Sequence, residues 1–220
     1  ESHMFDLGLV IAFAGIVGGR LWDVFFFDWE YYHNHLLEIP YIWQGGMAIQ
    51  GGIIFACIAA YFYLKKHQIP VLPFADTVTP GIILGQAIGR IANFMNGDAF
   101  GHPTGQDFGL LYPDTTLAYH TYGAQPLWPA EVWECQGDLL IFVLLLWYGC
   151  KTRAEGTTFC LYIMFYSLLR FFLENYRGDY GTLALGLKSA QLTSLAAFAG
   201  AFILFLYFHF KHKSKSGISE

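Results

Sequence analysis

The chain alternates long apolar runs with shorter polar intervals. A helix needs about 20 predominantly apolar residues to cross the hydrocarbon core of a bilayer, and residues 5–27, 46–64, 71–95, 133–150, 157–174 and 188–210 each approximate that length. The pattern predicts an all-α protein, a polytopic transmembrane helical bundle of about six spans with a larger outward-facing loop region at 96–132. Two of the runs are interrupted, 71–95 by Pro73, Asp76 and Pro80, and 133–150 by Glu134 and Asp138. Such breaks are tolerated where a helix faces protein or a wet cavity in place of lipid. Arg20 and Asp23 interrupt the first run and no small-residue cleavage pattern follows, which argues against a cleavable leader. The leading Glu1-Ser2-His3-Met4 reads as an expression scar, residues 5–210 as a single transmembrane domain, and 211–220 as a basic tail.

Composition agrees with a lipid-facing exterior. Only 13% of the 220 residues are charged, against about 25% in soluble domains, so 12 basic and 17 acidic side chains cannot clothe a water-facing surface. No basic patch suggests nucleic acid. Cys57, Cys135, Cys150 and Cys160 fall in or at the edges of the runs without Cys-x-x-Cys spacing, and are expected to be packing residues. His33, His35, His102 and His120 lack the His-x-x-x-His spacing of a zinc site, so no metal or other cofactor is expected.

Orientation follows from the lysines and arginines of the short loops. Lys65 and Lys66, Lys151 and Arg153, and Lys211, Lys213 and Lys215 follow the second, fourth and sixth runs, which predicts a cytoplasmic C-terminus whose tail meets anionic lipid. Intervals 28–45, 96–132 and 175–187 then face outward. Two of them are rich in tryptophan and tyrosine, residues suited to the headgroup level.

Three arginines remain inside the runs: Arg20, Arg90 and Arg170. Each costs about 2.5–3.5 kcal/mol at a helix centre, so something must offset them. For Arg20, snorkelling or pairing with Asp23 is as good an account as a functional one. Arg90 and Arg170 carry more pattern around them. Gly81, Gly85 and Gly89 form a stripe expected to admit a neighbouring helix, as Gly15 and Gly19 do in the first run. Packing does not require Arg90, Asn93 and Asn96 at three-residue intervals, followed by Asp98. In the fifth run Tyr166, Arg170 and Glu174 stand four apart with Arg177 one turn on, a polar stripe on one face. Two guanidiniums from different helices suit a phosphate, because arginine stays charged and offers a planar fork of donors. At an outward-facing membrane site the commonest phosphate is a phospholipid headgroup.

The run GRIANFMNGDAFGHPTG at 89–105 resembles the signature of the prolipoprotein diacylglyceryl transferases. The similarity continues at GGMAIQGG (45–52), YSLLRFFLENYRGD (166–179) and LALGLKSAQLTS (183–194), in the family's order and over nearly the whole chain. It implies an enzyme of the bacterial cytoplasmic membrane that moves the diacylglyceryl group of phosphatidylglycerol onto the lipobox cysteine of a prolipoprotein, releasing glycerol 1-phosphate without a cofactor. By position it implies Arg90, Asn93, Asn96, Asp98 and Gly101 in the signature, and Tyr166, Arg170, Glu174 and Arg177 on the second polar helix. Arg90 and Arg170 correspond to the most strongly implicated positions.

The chain also departs from the family. Asp98 stands where glutamate is usual, a leading span with a functional tyrosine is not matched, and Gln50 replaces the histidine or tyrosine of many members. The chemistry assigns Arg90 and Arg170 to the charge that develops on the departing phosphate. Asn93 and Asn96 orient headgroup oxygens, with Gln50, Gly101, Tyr166 and Arg177 as further substrate-binding candidates, and Asp98 or Glu174 is the candidate acceptor of the thiol proton. Two other readings stay open: a membrane transporter, although no internal repeat is evident, and a family member that binds lipid or lipoprotein without catalysis.

Overall fold

The computed structural model describes residues 2–150, 154–178 and 187–216. Its helices are α1 (Ser2–Trp22), continued by a π-helical turn at Asp23–Phe27, α2 (Trp29–Tyr32), α3 (Ile49–Lys66), α4 (Val71–Asn96), α5 (Leu117–Tyr122), α6 (Ala130–Gly149), α7 (Thr157–Leu173) and α8 (Ser189–Ser216). Among the described residues there are isolated β-bridges and no strand. The six long helices follow the six predicted runs in order. Four stretches, His3–Phe27, Val71–Asn96, Thr157–Tyr176 and Ser189–Lys211, are long and apolar enough to cross a membrane. The two long helices outside that set carry polar residues in their first turns, Gln50 in α3 and Glu131 and Glu134 in α6. By contacts the chain divides into two units, residues 1–71 and 72–220.

In the first unit, glycine lets α1 and α3 touch backbone to backbone. A Cβ on Gly51 would collide with the Gly18 carbonyl, and one on Gly15 would lie 3.7 Å from the Gly52 oxygen. The approach is close enough for the Ala48 N–H to donate to the Gly19 carbonyl at 3.0 Å. Small residues at such a crossing maximise van der Waals contact where no hydrophobic effect separates helix from lipid.

Arg20 pairs with Asp23 at 3.9 Å, as expected, but shorter contacts hold it in place. It is 4% exposed. Its Nε donates to the Ile39 carbonyl at 2.7 Å, Nη1 to those of Gly45 (2.7 Å) and Gly46 (2.9 Å), and Nη2 to that of Glu38 (3.2 Å), while the guanidinium stacks 4.9 Å from the Tyr32 ring. One side chain therefore fastens the whole segment between α2 and α3. Gly46 makes room for this: its φ is +73°, and a Cβ would sit 2.5 Å from Asp23 Oδ2 and 2.7 Å from Arg20 Nη1.

The second unit is centred on Ile83 of α4 and Ile141 and Leu145 of α6, against Leu161, Tyr162, Phe165 and Leu169 of α7. Asp76, unexpected in an apolar run, is a remote cap: its carboxylate accepts the N–H groups of Gly156 (2.6 Å) and Phe159 (2.8 Å) at the start of α7, donors that lack intrahelical partners. The glycine stripe of α4 does not serve as expected. A Cβ on Gly81, Gly85 or Gly89 would meet no atom within 4 Å, because α4 turns Ile83 and Ala87 inward and residues two positions away project to the other side. The close approach occurs at Gly137 of α6 instead, where a Cβ would lie 2.5 Å from Leu169. The cysteines divide: Cys160 is buried packing, whereas Cys57 and Cys150 are exposed.

Residues 97–129 form a small folded cap in place of an open loop. Phe100, Ala118 and Leu127 are its core, flanked by Tyr112 and Tyr122. The cap is bonded to the end of α7 by His102 N–H to the Tyr176 carbonyl (2.9 Å), Gly178 N–H to that of Phe100 (3.3 Å), and the Tyr122 hydroxyl to that of Gly178 (2.9 Å).

Candidate active site

Four basic side chains of the second unit gather around two carboxylates. Glu134, in the second turn of α6 and fully buried, takes Arg90 Nη2 of α4 at 2.8 Å on Oε1 and Arg170 Nη1 of α7 at 3.3 Å on Oε2, with Arg177 Nη1 at 3.6 Å from Oε2. The Tyr166 hydroxyl reaches Oε1 at 3.4 Å. Glu174, also fully buried, pairs with Arg170 Nη2 at 2.8 Å, four residues back along the helix, and lies 3.9 Å from Arg177 Nε and from Lys188 Nζ. Arg170 thus spans both carboxylates with its two terminal nitrogens, a geometry a single ammonium cannot reproduce. The cost of burying these charges is offset in part because each carboxylate has three cationic side chains within 4 Å.

The second layer fixes the turn after α7. Lys188 Nζ donates to the carbonyls of Glu174 (2.8 Å) and Arg177 (2.6 Å), satisfying carbonyls that the helix end leaves open. Gln191 links the same region through Asn175 Oδ1 at 3.1 Å. Gly101 forms an antiparallel bridge with Arg177, and a Cβ there would strike the Trp128 backbone. The cap therefore bears on the backbone that carries Arg177.

Along α4 a polar relay leaves the cluster: Arg90 Nη1 donates to Asn93 Oδ1 at 3.3 Å, and Asn93 Nδ2 donates to Asp98 Oδ1 at 2.5 Å. Asn93 thus stands between Arg90 and Asp98, and Asp98 is half-exposed. Asn96, the last residue of α4, is exposed. The structure brings together Arg90, Asn93, Asp98, Tyr166, Arg170, Glu174 and Arg177, with Gly101 behind them. Gln50 lies in the first unit, exposed in the first turn of α3. In sequence Glu134, the residue on which three arginines converge, reads as an interruption of its run. A carboxylate inside an apolar helix is itself a marker of function, and that signal was present.

This convergence of arginines from two helices and a turn on a carboxylate of a third, on the scaffold that carries the signature motifs in order, coincides with a match between residues 1–207 and the family model for prolipoprotein diacylglyceryl transferase. The chain belongs to that family. Proteins named phosphatidylglycerol–prolipoprotein diacylglyceryl transferase resemble it over most of their length. The one from Geobacillus kaustophilus is 38% identical over 192 residues, covering 86% of this chain and 71% of its own. Its counterpart from Clostridioides difficile is 35% identical over 221 residues, covering 100% and 83%. The protein from Thermosynechococcus vestitus is 37% identical over 211 residues, covering 94% and 78%. As a diacylglyceryl transferase, this chain is an enzyme and an integral membrane protein.

Proposed function

We propose that the chain transfers the diacylglyceryl group of phosphatidylglycerol to the lipobox cysteine of bacterial prolipoproteins, with Arg90 and Arg170 as its catalytic arginines. The observation that carries the assignment is the convergence of Arg90, Arg170 and Arg177, from α4, α7 and the turn after it, on one buried carboxylate. Sulfur attacks the primary glyceryl carbon, the bond from that carbon to the phosphate oxygen breaks, and the electron pair leaves on glycerol 1-phosphate. Charge grows on the phosphate as the bond breaks, so donors fixed in advance stabilise the transition state more than the ground state. Asn93 and Asn96 orient headgroup oxygens. Tyr166 and Arg177 complete the donor set, and Gln50 contributes a neutral amide at the lipid.

The thiol proton goes to Asp98. Glu174 would have to give up contacts with Arg170, Arg177 and Lys188 to accept it, whereas Asp98 is separated from Arg90 by Asn93 and is half-exposed. In this reading α3 and α6 also cross, giving six spans in the cytoplasmic membrane, with the site facing outward and the C-terminus in the cytoplasm. The test is purified protein with phosphatidylglycerol and a lipobox peptide, scored by the mass added to cysteine. Transfer by the wild type and its loss in Asp98→Asn, with Glu174→Gln retaining a folded protein, support the assignment. Lipid binding without mass gain points to the non-catalytic alternative, and solute flux into vesicles to a transporter.

A further inference from the structure

Arg90, Arg170, Arg177 and Lys188 make ion-pair contacts with two carboxylates among the described residues, Glu134 and Glu174. Glu134 is inaccessible, while the Arg90 and Arg170 side chains keep 20% and 15% of their surface. The exposed surface of the cluster therefore belongs to the guanidiniums and not to the carboxylate, with Arg90 also held by Asn93 and Arg170 by Glu174. The two oxygens of Glu134 take donors from three elements, the pattern a phosphate would draw. The substrate is a phosphodiester with one negative charge. The product is a monoester, which carries about 1.5–2 charges near neutral pH. A guanidinium cluster without a counter-charge would bind the product more tightly than the substrate, and tight product binding limits turnover.

We propose that Glu134 is a positioning residue that fixes Arg90, Arg170 and Arg177 with one carboxylate and, by sharing their charge, keeps the phosphate product from being retained. It rests on the transfer reaction proposed above and deepens it by assigning product release to a group that touches neither substrate. Glu134→Gln preserves size and one acceptor oxygen but removes the charge. A purely architectural side chain would lose transfer and phosphate binding together when weakened. The inferred role moves them in opposite directions.

The experiment measures binding of inorganic phosphate to detergent-purified protein, without lipid or peptide, alongside kcat and KM for phosphatidylglycerol. Glu134→Gln is expected to bind phosphate at least about tenfold more tightly, since removing one negative charge from among the guanidiniums strengthens their attraction for an anion. Its kcat falls about a hundredfold while KM changes less than about threefold. Phosphate binding unchanged or weaker in folded Glu134→Gln overturns the inference. Should that variant not fold, Glu134→Asp decides: it keeps the charge and withdraws the carboxylate by one methylene. Phosphate affinity within about threefold of wild type with kcat down about tenfold supports the role, and wild-type kcat refutes it. A wild type that binds phosphate but transfers nothing would sink the proposed reaction and leave the charge-sharing result standing on its own.

Discussion

Replacing Arg170 by lysine tests the fork geometry most directly. In the native site Nη1 lies 3.3 Å from Glu134 and Nη2 2.8 Å from Glu174, two carboxylates on different helices. Lysine keeps the charge but offers one point donor, so it can satisfy one carboxylate or the other. Glu134 retains Arg90 at 2.8 Å, and Glu174 retains Lys188 at 3.9 Å, so neither is stranded and the protein should still fold and insert. What is lost is one charge-assisted hydrogen bond and the fixed orientation of the donor facing substrate. Such a bond contributes about 1.5–3 kcal/mol, which alone lowers kcat/KM by about 10- to 150-fold. Loss of orientation adds to that, so transfer in Arg170→Lys should fall by at least about a hundredfold. The assay is peptide lipidation read by mass, with thermal unfolding in detergent as the control. Turnover within about threefold of wild type in the folded variant would show that the guanidinium plane is not used. Arg90→Lys, which bridges Glu134 and Asn93, should behave alike.

Arg20→Lys should instead act on stability. It gives up the multiple carbonyl contacts between Glu38 and Gly46, and unfolding of the first unit should come at lower temperature by differential scanning fluorimetry, with the 28–45 segment opened to protease; unchanged proteolysis would refute the fastening role. Gly46→Ala should mimic it, since the added methyl collides with Arg20 and Asp23 in a backbone of φ +73°. Gln50→Ala should leave turnover within about a hundredfold, or about 2.7 kcal/mol of transition-state binding; a variant as inactive as the arginine replacements would make Gln50 part of the chemistry. For topology, cysteines introduced at Lys215 and Thr115 should label from opposite faces of intact cells, and same-sided labelling would overturn the orientation.

The sequence by itself determined the solvent of the fold, the positions of its long helices and most members of the charged site. These are legible because each depends on local pattern: an apolar run long enough to cross lipid, and charged residues at helical spacing within one run, as in Tyr166, Arg170 and Glu174. Motifs in register supplied the family for the same reason, since short signatures survive as contiguous residues. Only the tertiary structure decided which charges are paired and with whom. Arg20 and Arg90 each stand in an apolar run without a sign of their main partners, yet one is consumed by backbone carbonyls of a neighbouring segment and the other meets Glu134, 44 residues away. Asp76 likewise becomes a helix cap 80 residues on. The glycines of α4 keep their helical spacing and find no partner, because the face a helix buries is chosen by the helices packed against it. Contacts between residues distant in sequence obey no local period, and they alone made Glu134 the centre of the site.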